Sequence, residues 1–473
     1  MFRRRPRLFT LPMTRQSSHT ALLWIVAVGF FMQALDTTIV NTALPSIAHS
    51  LHAHPLAMQS IVVAYTLTMA LLTPASGWLA DRFGTRRVYF VAILLFVIGS
   101  LCCAGAHTLN QLVIARILQG IGGSMLLPIG RLAVLRSVTG EAYVSALAVI
   151  SIAGQVGPIL GPTLGGWFVE SISWHWIFLI NVPIGALGLL AAHRFLPDDA
   201  IADAPPFDFV GCGLLSLCMV SFSLALDSPV HEHRGLVAVG LFAISAVTAL
   251  AYIPHARRRR NPLFELALFR EPNFSVGLIG NLLCRVGSSA VPFLLPLLMQ
   301  LELGYSPLHS GLMMLPAAFA GTIAKGWIAP LVKRYGYDTF LLVNTILVGA
   351  SIVGFAAFSP ATPLVIEIAI LAVFGACNSM QFAAMNSVTL KGLSIKDAGS
   401  GNSLFSMVQM LAIGMGVSIG GGLVQVFDGE FGSAALGFRL SFVCVGVITL
   451  LSALVFRRLD AAPQPAPRPA TAQ

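Results

Sequence analysis

The chain has 473 residues, of which 56% are hydrophobic and only 10% charged, and its net charge is +9. Soluble domains carry about 25% charged residues, so this composition excludes an ordinary soluble enzyme, a disordered chain and a DNA-binding domain. The apolar residues gather in fourteen blocks of roughly 20 residues or more, each long enough to cross ~30 Å of hydrocarbon as a helix.

In chain order the predicted spanning helices cover 21–46, 56–80, 88–107, 110–135, 141–170, 174–196, 209–227, 235–254, 274–300, 308–331, 338–358, 363–388, 400–427 and 436–456. With the N-terminus in the cytoplasm, 22 of the 28 Lys and Arg fall on cytoplasmic segments. Arg234 and Arg439 fall outside, and Arg116, Arg131, Arg285 and Lys325 lie within spans. This asymmetry is the positive-inside pattern, and it predicts both termini in the cytoplasm. The run Arg257–Arg260 reads as a topology anchor beside anionic lipid and not as a nucleic-acid patch. The seven cysteines all sit in apolar spans without a C-x-x-C spacing, so they read as small core residues.

Five segments follow. Residues 1–20 form a cytoplasmic tail (Met1 and Met13 are both candidate starts), 21–196 a six-helix bundle, and 197–273 a linker with two extra spanning helices. Residues 274–457 form a second six-helix bundle and 458–473 a Pro- and Ala-rich cytoplasmic tail. The loop at Gly84 has an echo at Gly336, and the same offset of 252 residues aligns the first and fourth helices of the two bundles. The two bundles therefore read as repeats. Asn261–Phe264 with Phe269 and Arg270 reads as a short amphipathic stretch at the membrane surface.

Helix 1 reads Leu35-Asp36-Thr37-Thr38-Ile39-Val40-Asn41-Thr42-Ala43-Leu44-Pro45, with Gln33, Asp36, Thr37 and Asn41 predicted on one face. A carboxylate at membrane depth is costly when charged, which suits reversible protonation. The loop after helix 2 reads Gly77-Trp78-Leu79-Ala80-Asp81-Arg82-Phe83-Gly84-Thr85-Arg86-Arg87. Its glycines are expected to let helices approach and to turn the chain, and Asp81 to take a helix-end N–H or an arginine fork. Gly77, Asp81, Arg82, Gly84, Arg86 and Arg87 thus read as a cytoplasmic gate. In the second bundle Lys333 stands where the aspartate would be.

Helix 4 carries Arg116-Ile117-Leu118-Gln119-Gly120, with Gln119 one turn from Arg116. Helix 5 carries Gly157-Pro158-Ile159-Leu160-Gly161-Pro162-Thr163-Leu164-Gly165-Gly166, whose four-residue glycine repeat makes a groove for a neighbouring helix. The next helix opens with Trp174-His175-Trp176-Ile177-Phe178-Leu179-Ile180-Asn181-Val182-Pro183.

The G-x-L-A-D-R-x-G-x-R-R loop closely resembles the signature of the major facilitator superfamily. The helix 1 string and Trp174–Pro183 resemble its fourteen-helix drug:proton antiporter branch, whose members mostly have arginine where His175 stands. The resemblance covers nearly the whole chain. It implies an all-α polytopic fold of two six-helix bundles plus two extra helices. It also implies a role for the Arg116/Gln119 element in proton coupling. The helix 5 string resembles the motif of proton-driven exporters, although Ala148 occupies a usual glycine position, and so it implies export.

An intramembrane charge is a functional-site hypothesis by default. Asp36 is paired in this reading with Arg116, and Arg285 with Glu367, both pairs lining a central cavity. Together with Gln119 these form the expected proton-coupling or substrate site. The chain is thus read as a non-enzymatic, monomeric, proton-coupled exporter of small molecules, a multidrug exporter of the bacterial inner membrane. Its partners are substrate, protons and lipids, with no cofactor, metal or nucleic acid. No G-x-x-x-x-G-K-[ST] loop offers ATP as the drive. Two alternatives stay open. One is export of an anionic metabolite such as a carboxylate or a metal-carboxylate complex, which suits a net-positive cavity. The other is a membrane sensor that transports nothing. The His-rich outer loops, with His49, His52 and His54, read as segments that avoid Lys and Arg.

Overall fold

The computed structural model of the protein describes residues 15–138, 141–196, 206–226, 234–391, 393 and 395–457. The first fourteen residues, with both candidate starts, lie outside these, as do most of the Asp- and Pro-rich stretch 197–208, His231, His233 and the tail 458–473. Among the described residues every regular element is helical. Hydrocarbon offers no partner for backbone N–H and C=O groups, and a helix satisfies them within one segment.

The first six predicted spans appear as α1 (Arg15–Ser50), α2 (Gln59–Leu72) with α3 (Ser76–Phe83), α4 (Thr85–Ala104), α5 (Leu109–Ser137), α6 (Glu141–Ser171), and α7 (Trp176–Leu179) with α8 (Asn181–Phe195). The extra pair is α9 (Phe209–Leu226) and α10 (Arg234–Arg258). Then follow α11 (Pro272–Leu301), α12 (Pro307–Met313) with α13 (Leu315–Ala324), α14 (Ile328–Gly354), α15 (Leu364–Leu390), α16 (Ile395–Phe431) and α17 (Ala434–Phe456).

Twelve stretches of the described residues are long and apolar enough to cross a membrane, against fourteen expected. The difference arises at two places. Pro307–Ala357 counts as one run of 51 residues, although Gly336 at φ 81° interrupts its helical path. The 31-residue α6 is not among the twelve.

The offset of 252 residues returns in the backbone. Gly84 has φ 86° and ψ 146°, and Gly336 has φ 81° and ψ 164°. Only glycine enters this region without strain. Helix pairing repeats as well. In the first bundle α1 packs on α6 and α8, and α5 on α2 and α4; in the second, α11 packs on α16 and α17, and α15 on α13 and α14. Contacts between the two sets run through α2 with α16, α6 with α12, and α1 with α11. The extra helices α9 and α10 pair with each other, and α9 rests on α2 and α16.

The outside is apolar, as a lipid-facing surface should be. On α10, Leu236 is 82% and Leu250 65% exposed; on α8, Leu190 is 72% exposed. Arg82, Arg86, Arg87, Arg136, Arg194 and Arg257–Arg260 gather where α3, α5, α8 and α10 end. This is called the basic end below, and the end carrying His52 and Gly304 the opposite end.

Candidate functional site

Asp36 lies on α1 and is fully buried. It faces α5, where Arg116 donates from Nη1 to Asp36 Oδ2 at 2.7 Å. Gln119, one turn along, donates from Nε2 to Asp36 Oδ1 at 2.7 Å, and its own Oε1 accepts from Arg116 Nη1 at 2.7 Å. Asn181, the first residue of α8, donates to Asp36 Oδ1 at 3.2 Å and to Ser100 Oγ of α4 at 3.3 Å. Gln119 Nε2 also reaches Ser100 Oγ at 2.8 Å. The Arg116 guanidinium lies 4.1 Å from the Tyr65 ring centroid and 5.7 Å from that of Phe178. Such cation–π contacts replace part of the hydration that the buried charge has lost. Six helices, α1, α2, α4, α5, α7 and α8, thus close around one ion pair that solvent barely reaches.

The expected Asp36/Arg116 and Arg116/Gln119 proximities are present, but this pair does not line a cavity. Of the four polar residues predicted on one face, Gln33 and Asp36 face Met69 and Arg116 of their own bundle, and only Asn41 lies on the wall of the cavity between the two sets of helices. Asp36 points into its own bundle, whereas Thr38, Asn41 and Thr42 face that cavity, of about 500 Å³. Arg131, Arg285 and Lys325 also line this space, with amides from Gln155 and Asn378 and rings such as Phe382. Three of the four cations predicted within spans therefore meet here, and no Asp or Glu is on the described wall.

Arg285 does not pair with Glu367. Its guanidinium stacks 4.3 Å from the Phe382 ring centroid, and its Nε has no hydrogen-bond partner. Phe382 lies fifteen residues along α15 from Glu367, which is ~22 Å at helical rise. Glu367, in the first turn of α15, instead accepts from Tyr305 Oη at 3.0 Å at the opposite end. Burial and the neighbouring Glu367 push the Tyr305 phenol above its ordinary pKa. The depths of the two charges, which the offset alone did not set, keep them apart.

The opposite end of the cavity is shut. Gly166 of α6 packs on the backbone of Pro307 and Leu308, and Gly311 of α12 on that of Pro162 and Thr163. Thr163 Oγ1 donates to Gly311 O at 3.3 Å, and the Leu308 N–H to Glu170 Oε2 at 3.2 Å. Toward the basic end α6 and α13 diverge, leaving Ser151 and Thr322 exposed on the cavity wall. The cavity opens to the basic end.

A family model described as Major Facilitator Superfamily matches residues 26–417 and 278–473. The chain belongs to the major facilitator superfamily. It is a multi-pass membrane protein of a transporter family and not an enzyme. It is 44% identical over 455 residues to a Pectobacterium atrosepticum protein named multidrug resistance protein MdtD, covering 94% of this chain and 97% of the relative. A Salmonella typhi protein of the same name is 44% identical over 456 residues, covering 92% and 94%. Among solved structures, a POT family peptide transporter superposes with TM-score 0.70 at 14% identity, covering 96% of this chain and 99% of that one. A D-xylose-proton symporter gives 0.69 at 16% identity, covering 94% and 98%. At these identities the structures establish the fold.

The superfamily loop takes a defined form at the basic end. Asp81 forms an ion pair with Arg136, at the last turn of α5. Arg86 Nε donates to Leu196 O just past α8 at 2.6 Å, while Arg82 and Arg87 are exposed. Gly84 makes the turn, but a Cβ on Gly77 would meet nothing within 4 Å, so close packing does not explain that glycine. On α6 the glycine groove is filled by the helix of Asp36. A Cβ on Gly157 would come within 2.6 Å of Leu35 N, and one on Gly165 within 2.5 Å of Thr42 Oγ1. Gly161 faces Thr38, and Thr42 Oγ1 donates to Pro162 O at 3.1 Å.

Sequence reasoning singled out neither Asn181, Ser100 nor Tyr65 as a partner of the charge pair, nor Arg136 as the mate of Asp81. Asn181 was visible within the Trp174–Pro183 string. Ser100 gave no signal, since a serine hydroxyl in a spanning helix ordinarily bonds its own backbone, as it also does here to Phe96 O, and Tyr65 reads in sequence as one more aromatic of an apolar span.

Proposed function

We propose that this chain is a proton-coupled exporter of small molecules, a multidrug exporter that works by alternating access in the bacterial inner membrane. The basic end and both termini would be cytoplasmic. In this reading two bundles, 21–196 and 274–457, rock about the cavity, residues 197–273 contribute two further crossings, and the helices crossing the membrane number fourteen. The observation that carries it is a cavity shut by helix contact at the opposite end, with exposed Ser151 and Thr322 on its wall toward the basic end, beside a fully buried Asp36 ion pair. An exporter must load from the cytoplasm, and this is the loading geometry.

The coupling follows from packing. Protonating Asp36 would remove the charge that holds Arg116, Gln119 and Asn181 around it. Asp36 rides on α1, α1 fills the glycine groove of α6, and α6 carries Gly166 at the far seal. A shift of α1 therefore reaches the seal through two helix contacts without a side-chain relay. Gln300 Nε2, donating to Thr42 O at 2.9 Å, ties α11 to the same segment of α1. A single proton moving down 100 mV supplies ~2.3 kcal/mol, about 1.7 tenfold steps of substrate concentration.

A second reading rests on the wall chemistry. Three cations and no described acid favour an anionic substrate, such as a carboxylate or a metal-carboxylate complex, over a cationic drug. One experiment separates the two. Efflux from energised cells is followed for cationic drugs and for carboxylates, with and without an uncoupler. Drug efflux lost with the uncoupler supports the first reading, and carboxylate efflux alone supports the second. Efflux indifferent to the uncoupler removes proton coupling from both.

A further inference from the structure

We infer that a second cavity, between α9, α10, the surface stretch 263–269 and α16, binds an anionic phospholipid. The cavity measures about 450 Å³, and its wall carries Leu215, Tyr252, Phe264, Phe269 and Leu404, with Arg257 as the one charged residue among the described lining. It lies apart from the transport cavity, with which it shares no lining residue.

The wall is built and not fortuitous. Tyr252 Oη accepts from the Phe264 N–H at 2.7 Å and donates to Phe264 O at 3.0 Å, fixing the surface stretch to α10. Asp208 holds the stretch one residue earlier, accepting from the Leu263 N–H at 3.0 Å. The same carboxylate pairs with His255 Nε2 at 2.8 Å and Arg259 Nε at 3.3 Å. The four consecutive arginines therefore do different things. Arg259 turns inward to Asp208 and to Phe207 O, while Arg257, Arg258 and Arg260 stay exposed. The exposed acids of the same stretch, Glu265 and Glu271, do not line the cavity.

An apolar hollow with one exposed arginine on its wall, beside further exposed arginines of the same run, matches one ligand chemistry. Acyl chains lie against Leu215, Phe264 and Leu404, and the phosphate meets Arg257. In the topology proposed above this run sits at the cytoplasmic headgroup level, where anionic lipids are found and basic clusters bind them. A bare phosphate leaves the apolar wall unused, and a zwitterionic lipid leaves the arginines without a net counter-charge. Because Leu404 belongs to α16 and Leu215 to α9, the lipid bridges the extra pair to the second bundle.

Native mass spectrometry of the full-length protein in detergent tests this without reference to transport. The protein is titrated with dioleoyl phosphatidylglycerol, with phosphatidylcholine of the same chains, and with inorganic phosphate. The expected result is phosphatidylglycerol binding about 10-fold tighter than phosphatidylcholine. Arg257→Gln weakens it about fivefold, the factor for one lost basic contact, and Leu404→Trp, which fills the hollow, removes it. Equal binding of the two lipids, or binding unchanged in Arg257→Gln, overturns the inference. Displacement of the lipid by millimolar phosphate also overturns it and marks a phosphate site. Should Leu404→Trp fail to fold, the exposed Arg257→Gln decides alone.

Discussion

Arg116 and Asp36, 80 residues apart in the chain, meet at 2.7 Å with almost no solvent contact for either side chain. Breaking a buried pair by removing one partner costs about 3–5 kcal/mol, since it strands the other charge. Arg116→Ala should therefore lower stability by that order, read as a fall in thermal midpoint in detergent. Asp36→Asn keeps the shape but cannot take up a proton at neutral pH, and it should abolish uncoupler-sensitive efflux. The exchange Asp36→Arg with Arg116→Asp should recover part of the lost stability. If alanine at both positions left efflux intact, the coupling role would be dead.

Arg285 offers the cavity an Nε with no partner and a face held on Phe382. A charged hydrogen bond is worth about 1.5–3 kcal/mol. Arg285→Gln should then raise the KM for an anionic substrate by roughly 10-fold or more and leave that for a cationic drug unchanged or lower. Transport assays in proteoliposomes with one substrate of each charge give the comparison. An equal effect on both would assign Arg285 to packing.

The groove of α6 predicts a steric phenotype. Gly161→Val places two methyl groups against Thr38 of α1. Overpacking of this kind costs about 1–3 kcal/mol. Because α1 carries Asp36, efflux should fall by more than the loss of folded protein explains. Measuring transport per folded molecule, counted by size-exclusion chromatography, separates the two.

Asp81 and Arg136 are both partly exposed, and such pairs contribute about 0–1 kcal/mol. Asp81→Asn should barely move the melting temperature, yet it should slow transport if the pair belongs to the gate. Unchanged transport would reduce the loop to a topology signal.

Asp208 gives a pH dependence. Burial alone would raise its pKa, but hydrogen bonds from the Gly211 N–H, His255 and the Leu263 N–H outweigh it and hold the carboxyl below its ordinary value. A depressed folded-state pKa contributes stability above the unfolded value, near 3.9, and loses it as pH falls through the folded one. The extra helix pair should thus loosen in acid below about pH 4, seen as faster proteolysis near residue 260. Asp208→Asn should show the loosened pattern at neutral pH and little further change in acid.

What the sequence revealed and concealed follows the cost of each group. Spanning helices were legible because hydrocarbon demands unbroken apolar runs, and the turns at Gly84 and Gly336 because a positive φ demands glycine. The Asp36/Arg116 contact was legible because two charges in one bundle are cheapest together. Arg285 and Glu367 were misjudged because an offset aligns helices without fixing depth along them. Ser100 stayed hidden, and Asn181 was seen only as part of a string, because a neutral polar residue in a helix imposes no comparable demand. Gly77 shows the limit of motif reasoning, since a residue of the superfamily string sits where a side chain would fit.

The shut end of the cavity has a further consequence. Gly166 meets the main chain at Pro307, and Gly311 meets it at Pro162, so each helix presents a bare patch to a proline of the other. Only two side-chain hydrogen bonds described above cross this joint, from Thr163 to Gly311 O and from the Leu308 N–H to Glu170. Once these two let go, the helices can roll apart like a pair of smooth cylinders and settle back into register. A single added methyl at either glycine would act as a pebble between them, holding the outer mouth ajar.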